Sequence, residues 1–417
     1  MTKMNAGIIT IGDELLIGET TDTNATWLAK SLDDAGLHVL RIYTIEDDEE
    51  EIHSHLNEML KDVQFVVITG GLGPTHDDVT KYALCNFFKD ELVFNETVYK
   101  GIEKMMVSFG KDVSALNRTQ AMIPSTCKAL LNFHGTAPGM KFEFDDKTVI
   151  SMPGVPHEMK YIMNEHVLPH VKGIDSDEKK IHRHIKTFGI AEADLATKLS
   201  ALITQLDDGI KLAFLPSPGI VKIRITAKGV SDSEALEKIS KIESEILSLL
   251  GDYCFAFESD KMESVVGNIL SKNQSTLSTA ESCTGGKLAS ILTSIPGSSV
   301  YFIGSVIAYN NDIKETQLKV SKEKLINHGA VSEEVVSEMA SNVREIMKTN
   351  YALATSGIAG PDGGTPEKPV GTIWIALATE KKILTKKLQL GFNRETNIRI
   401  TAMHCLNLLR KELQNNI

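Results

Sequence analysis

The chain has 417 residues, of which 42% are hydrophobic and 24% charged, with a formal net charge of −11. At roughly 100–200 residues per domain this length predicts two to four domains with several buried cores. The acidic balance argues against a protein that grips nucleic acid through a broad basic footprint, although an acidic chain still binds phosphates locally through backbone amides. The cysteines Cys85, Cys127, Cys254, Cys283 and Cys405 lie far apart with no Cys-x-x-Cys pair, so neither structural zinc nor a disulfide framework is expected. The N-terminal Met-Thr-Lys-Met-Asn-Ala-Gly has no signal-like apolar stretch, and no run of about 18 apolar residues exists. A cytoplasmic protein that does not span a membrane is the expectation.

Residues 6–11 read as a short apolar strand and 24–35 as a helix, with Gly36 suited to its C-terminal cap. Residues 39–44 form a second strand. Residues 48–61 place Ile52, Leu56, Met59 and Leu60 at helical spacing. Residues 65–69 are continuously apolar, as in a strand covered on both faces, and a glycine turn leads to a helix from about Val79. This alternation predicts a doubly wound α/β layer. Residues 173–180 are polar and suit a linker. Residues 211–215 and 221–227 then read as strands around the turn Pro216-Ser-Pro-Gly219. Val221, Ile223 and Ile225 alternate there with Lys222 and Arg224, which leaves one face wet. An amphipathic helix over 232–250 completes a small α+β module. From about Ser259 helix and strand alternate again, with a helix over 264–271 and strands over 351–355 and 371–378. The fold class is α/β: two α/β domains, 1–170 and 256–417, joined by a small α+β module over 171–255.

Two stretches of the first segment carry chemistry. In Phe65-Val-Val-Ile-Thr-Gly-Gly-Leu-Gly-Pro-Thr-His-Asp-Asp-Val-Thr80, glycines allow backbone to approach a phosphate and a helix start supplies free N–H groups. Asp77 and Asp78 either hold a hard cation such as Mg²⁺ or cap the helix. The Gly-x-Gly-x-x-Gly dinucleotide fingerprint is not matched. Ile11-Gly-Asp-Glu-Leu-Leu-Ile-Gly-Glu-Thr-Thr-Asp-Thr-Asn24 follows the first strand, at the sheet edge where ligands of open α/β folds sit. Asp13 and Glu14 either bind metal or sugar hydroxyls, or form an acidic surface loop with Asn24 as helix cap.

The last segment contains Thr279-Ala-Glu-Ser-Cys-Thr-Gly-Gly286, followed by Tyr309 and Lys314. A serine hydroxyl needs a base to become a nucleophile, and Lys314 is the candidate base for Ser282. Cys283 is a rival nucleophile or a small buried residue. Gly286-Lys287 hints at a triphosphate loop, but Leu288 stands where Ser or Thr is required and Glu281 where the first glycine belongs, so that reading is rejected.

Together with Asn132-Phe-His-Gly-Thr-Ala-Pro-Gly139 and Pro153-Gly-Val-Pro-His-Glu-Met159, the first segment resembles the CinA family, in its domain related to molybdopterin-binding proteins. The resemblance implies a metal-dependent ADP-ribose pyrophosphatase that releases AMP and ribose 5-phosphate, the metal shielding the diphosphate and activating water. On it Gly70, Gly71 and Gly73 line the phosphates, Asp13, Glu14 and Asn24 contribute to substrate binding, and Asp77 or Asp78 holds the divalent metal, with His157 and Glu158 as secondary candidates. Relatives of the same fold bind molybdopterin instead. Phe188-Gly-Ile-Ala-Glu-Ala-Asp194 and Leu215-Pro-Ser-Pro-Gly219 match the family's KH-like module. That module lacks the Gly-x-x-Gly loop that clamps RNA, so it reads as a spacer, with His182 and His184 as surface residues.

The match continues through Ser282, Tyr309-Asn-Asn-Asp-Ile-Lys314, His328-Gly-Ala-Val-Ser332, Ser356-Gly-Ile-Ala-Gly-Pro-Asp-Gly-Gly364 and Lys368-Pro-Val-Gly-Thr372. These resemble the C-terminal CinA domain, which includes nicotinamide-nucleotide amidases. The resemblance implies hydrolysis of nicotinamide mononucleotide to nicotinate mononucleotide and ammonia, without a cofactor. Ser282 is the nucleophile, Lys314 its base, and Tyr309 relays a proton or orients the lysine. The N–H groups near Thr284, Gly285 and Gly286 are available for the oxyanion. Glu281, Ser356, Gly357, Gly360, Arg394 and Arg399 complete the substrate-binding set, the arginines and the 357–364 loop as phosphate candidates. Small-molecule nucleotides are the expected partners, nucleic acid is not, and the family implies a homodimer. The alternative is a non-catalytic nucleotide- or molybdopterin-binding protein acting in competence or DNA-damage response.

Overall fold

The computed structural model describes residues 4–75, 78–171, 179–229 and 231–415. They form two compact units, Met1–Lys180 and Ile181–Ile417.

The first unit contains β1 (Asn5–Ile11), β2 (His38–Ile45), β3 (Phe65–Thr69), β4 (Leu92–Phe94), β5 (Met122–Pro124), β6 (Lys128–Leu130), β7 (Gly139–Phe144) and β8 (Lys147–Met152). The main sheet runs β2-β1-β3-β8-β7-β6, and β4 and β5 form a separate ribbon. β2, β1, β3 and β8 are parallel, whereas β7 and β6 add antiparallel strands at one edge. All five side chains of Phe-Val-Val-Ile-Thr in β3 are buried, because helices cover both faces of the parallel part. The helix Glu49–Asp62 buries Ile52, Leu56, Met59 and Leu60, and its first turn of three glutamates suits the positive end of the dipole. Asp22, not Asn24, caps the helix Thr23–Asp34 by accepting from the Ala25 N–H. Asn24 is thereby left available for contacts across the sheet edge.

The second unit opens with β9 (Lys179–Phe188), β10 (Ile210–Ser217), β11 (Ile220–Gly229) and β12 (Cys254–Phe257), in the order β10-β11-β9-β12. The helices Glu192–Thr204 and Asp232–Leu250 pack on this sheet through Leu195, Leu199, Ile239 and Ile246, against Ile223 and Ile225. This is the small α+β module whose sequence resembles a KH-like one. His182 and His184, expected at the surface, are half-buried, with His182 bonded to Thr226 and His184 to Glu258.

The remaining strands are β13 (Leu277–Glu281), β14 (Phe302–Ile307), β15 (Tyr351–Gly357), β16 (Thr372–Ala378) and β17 (Ile383–Gln389), ordered β14-β13-β15-β16-β17. β13, β14 and β15 are parallel, and β16 and β17 antiparallel. The helix Glu333–Met347 buries Val335, Val336, Met339, Ala340 and Val343 in one core layer. The helices Met262–Lys272 and Arg394–Asn415 fill the other. Phe188 and Phe255 of the KH-like module belong to this same cluster, beside Met403 and Leu406, so one apolar core runs through both sheets of the unit. Among the described residues no helix is long and apolar enough to cross a membrane.

Arg410, almost wholly buried, fastens the helix Arg394–Asn415 to the end of the KH-like module. Its guanidinium donates to the carbonyls of Asp252 (2.6 Å) and Cys254 (3.3 Å), and to Asn407 and Gln414 side chains. Removing it orphans acceptors inside the protein. Arg410→Ala is expected to lower unfolding free energy by about 2–4 kcal/mol, read by chemical denaturation of the full chain. An unchanged midpoint would show that the fastening is dispensable.

Candidate functional site

Each unit has a crevice where its strand order reverses, the place where open α/β sheets take ligands. In the second unit β13 lies between β14 and β15, so the reversal falls between the carboxyl ends of β13 and β15. Ser282 follows β13 and Ser356 ends β15.

The turn after β13 is held by Glu281. Its carboxylate is fully buried and accepts the N–H groups of Gly286 (3.1 Å), Leu288 (3.0 Å) and Ala289 (2.7 Å) at the start of the helix Lys287–Thr293. A helix start normally offers free N–H groups to an anion, and here the chain's own carboxylate takes them. Glu281 is therefore a cap rather than the substrate contact expected from sequence. Gly285 and Gly286 have φ of 57° and 95°, the left-handed region that the reversal requires. The Gly285 N–H donates to the Ser282 carbonyl, so neither glycine amide is free for an oxyanion. The Thr284 N–H has no hydrogen bond among the described residues, and its hydroxyl pairs with Thr355 (2.7 Å).

Ser282 is 8% exposed and opens on a cavity of about 300 Å³ shared with Tyr309, Lys314, Ser356, Gly357, Gly360 and Arg394. Lys314 sits on the helix Asn311–Thr316, which Asn310 caps by accepting from Asp312 N–H. Only 1% exposed, its Nζ donates to the carbonyls of Ala308 (2.9 Å) and Tyr309 (3.4 Å). No carboxylate pairs with it among the described residues, and burial pulls its pKa below the usual 10.5. No hydrogen bond yet joins it to Ser282. Burial pushes the neighbouring Cys283 thiol up to about 12, which disfavours it as the nucleophile.

Tyr309 is 61% exposed, and its hydroxyl accepts from Arg394 (2.8 Å) instead of reaching Lys314. Its carbonyl, not its ring, steadies the lysine. Arg394 also donates to the Gly360 carbonyl (2.6 Å), which aims the guanidinium along the glycine loop. Arg399 does not join this cavity; it donates to the Pro218 carbonyl and lines a different pocket. Ser356 Oγ donates to the Ala330 carbonyl (2.6 Å), and a Cβ on Gly357 would meet Ile373 backbone at 2.7 Å. Asn311 and Asp362 also line the cavity without having been singled out from sequence; Asn311 opens the helix that carries Lys314, and Asp362 lies in the glycine-rich loop after β15.

In the first unit the reversal falls between β1 and β3. A Cβ on Gly70 would lie 2.1 Å from the Ile11 carbonyl, and one on Gly71 2.1 Å from Thr80 Oγ1 and 2.9 Å from Asp47 Oδ1. The glycines thus let the two loops close on each other. Asp78 accepts from the N–H of Gly73 (2.7 Å) and Thr75 (2.9 Å) and from the Thr75 hydroxyl (2.5 Å), so it closes the glycine turn. It does not cap the next helix, whose cap position is Val79. Asp77 lies outside the described residues. Asn24 donates to the carbonyl of Gly154 (2.7 Å) and to Thr69, leaving its buried Oδ1 without a partner. Glu158 accepts from Asn132 (2.6 Å), and burial raises its carboxyl.

Asp47 was not anticipated. Its N–H donates to Asp13 Oδ1 (3.3 Å), and its own carboxyl is pushed up to about 6, first by burial and then by the Asp13 charge, with Glu14 and Asp78 adding. Carboxylates therefore crowd one mouth of this crevice. Among the described residues no three Asp, Glu, His or Cys side chains converge to hold an ion alone.

Family models match in three consecutive stretches: a probable molybdopterin binding domain over residues 7–173, the damage-inducible protein CinA KH domain over 182–256, and the CinA C-terminal domain over 259–413. A CinA-like protein of Cytophaga hutchinsonii is 46% identical over 413 residues, covering 99% of each chain. A CinA-like protein of Flavobacterium psychrophilum is 41% identical over 415 residues, again covering 99% of each. The crystal structure of CinA from Thermoplasma acidophilum is 35% identical, covering 39% of this chain and 95% of that one, with a TM-score of 0.37. Full-length identity at this level, with the three domains in the same order, places the chain in the CinA family.

Proposed function

We propose that the second unit is a serine amidase that converts nicotinamide mononucleotide to nicotinate mononucleotide and ammonia. The observation that carries this reading is Lys314: a buried, carboxylate-free amine in the same cavity as Ser282. A neutral amine has two N–H bonds and one lone pair. The carbonyls of Ala308 and Tyr309 accept the two N–H bonds, which leaves the lone pair for the serine proton. Ser282 Oγ attacks the carboxamide carbon as its proton passes to Lys314. The ammonium then protonates the leaving nitrogen, ammonia departs, and an acyl-serine remains. Water attacks that ester, giving a proton to Lys314; the acyl–Oγ bond breaks as Lys314 returns the proton to Ser282, and the product leaves as a carboxylate after its acid proton passes to solvent. Among the described residues the Cys283 and Thr284 N–H groups are the free donors of the turn for the oxyanion. Glu281 fills the helix start, so the nucleotide phosphate belongs at Arg394 and the glycine loop, where a planar guanidinium is already oriented.

For the first unit we propose hydrolysis of the ADP-ribose diphosphate. The crowded carboxylates fit a divalent cation shared between protein and ligand phosphates, with one or two of Asp13, Asp47 and Asp78 holding it. When bound, such a cation neutralises the diphosphate and acidifies water. The backbone at Gly70, Gly71 and Gly73 provides the close approach, and Asn24 Oδ1 offers an unpartnered acceptor for a sugar hydroxyl.

Ser282→Ala is expected to lose at least ~10³-fold in amidase kcat, and Lys314→Met about 10²–10⁴-fold, measured by ammonia release. Because the base must be deprotonated, the parent's kcat/KM rises with pH through a limb below 10.5 that Lys314→Met lacks. Undiminished activity in Ser282→Ala would sink the assignment.

Asp47 tests the acidic crevice. Its folded pKa, about 6, exceeds the ordinary 3.8, so the folded state binds this proton more tightly. The charged carboxylate destabilises the fold fully above about pH 6, and the penalty fades as pH falls towards 3.8. Asp47→Asn is expected to melt a few degrees higher than the parent at neutral pH, with the gain shrinking in acid. A gain that does not change with pH would contradict the crowding.

A further inference from the structure

A second pocket of the Ile181–Ile417 unit lies apart from Ser282, between the KH-like strands and the helices Lys287–Thr293 and Arg394–Asn415. Its volume, about 530 Å³, suits a small organic ligand. The lining includes Leu215, Ile220, Phe255 and Met403, which make an apolar wall. Lys186, Lys222, Lys261, Lys287 and Arg399 supply positive charge around it.

These cations are unusual company in a chain of net charge −11. Among the described residues none of the five has a carboxylate within 4.0 Å, although Asp260 and Glu263 also line the pocket. Lys186 donates to the Asp260 carbonyl and Arg399 to the Pro218 carbonyl, so two of the heads are anchored by backbone alone. Burial and then the charge of Lys222 depress the Lys186 ammonium, with Asp260 and Glu263 opposing them in part; an incoming anion relieves the repulsion between the cations. The five residues come from β9, β11, the segment before Met262–Lys272 and the two helices, so the charge convergence is made by the tertiary fold and not by a basic run in sequence. An apolar wall with unpaired cations at its rim recognises a ligand with a flat apolar body and strong negative charge.

We propose that this pocket binds a phosphorylated small molecule of the nucleotide class, with its ring against Phe255 and Met403 and its phosphate among Lys186, Lys222 and Arg399. The site is separate from the amidase reading and stands whether or not that reading holds.

The test uses the fluorescent probe trinitrophenyl-AMP, titrated into the full chain. The parent should show a saturable rise in emission. Lys222→Glu should weaken that binding at least about tenfold, because it reverses a charge facing the phosphate. Lys222→Ala should weaken it less. Lys211→Glu makes the same charge change on an exposed residue of β10 outside the pocket, and should bind within about twofold of the parent. Thermal melts of each variant establish that it is folded. Binding that ignores Lys222 belongs to another site and overturns the proposal, as does a parent that shows no saturable binding or a Lys211→Glu chain that loses as much as Lys222→Glu.

Discussion

The carboxylate of Glu281 is the contact on which the second unit's site depends. Burying a carboxylate is costly unless hydrogen bonds replace its water, and three backbone N–H groups do so here. The same bonds satisfy the open end of the helix Lys287–Thr293 and place a negative charge at its positive pole. The turn from β13 into that helix is thereby fixed, and Ser282 is fixed with it, its N–H held by the Thr355 carbonyl of the neighbouring strand. One side chain both builds the turn and denies the helix start to a ligand phosphate. That denial moves anion recognition across the crevice to Arg394.

The two units use one architectural rule with opposite electrostatics. Both have their crevice at the reversal of strand order, β1 against β3 and β13 against β15. In the first, acidic side chains gather until one carboxyl resists ionisation. A cation or a proton is what such a place lacks. In the second, a lysine is buried without a counter-charge, so its ammonium form is the disfavoured one. The parallel strands are alike in both; the chemistry comes from the few residues at their carboxyl ends.

Much of this was legible in the sequence. Phe65–Thr69 reads as a buried parallel strand and Asp232–Leu250 as an amphipathic helix because their patterns are long or unbroken. What sequence missed depends on register and facing. Asp47 sits in the run Glu46-Asp47-Asp48, where nothing distinguishes one acid from the next. The pairing of Ile11 with Ile45, and the bond from Gly12 N–H to the Ile45 carbonyl, bring that run beside Asp13. Arg394 and Arg399 look equivalent in sequence, but five residues rotate a helix by about 140°, so they serve different pockets. Glu281 carried a readable signal: a carboxylate where a phosphate loop needs glycine is a helix start that caps itself. Tyr309 was placed in the right cavity beside the lysine, but spacing along the chain does not say that its carbonyl meets the lysine while its ring turns to Arg394.

The central claim of the proposed chemistry is that Ser282 becomes acylated. Mass spectrometry of full-length protein, acid-quenched during turnover of nicotinamide mononucleotide, tests it most directly. The account predicts a nicotinate-mononucleotide ester on the peptide bearing Ser282, accumulating to a steady level and absent from Ser282→Ala. Ammonia release at an undiminished rate from Ser282→Ala, or an adduct on Cys283 in its place, would contradict it.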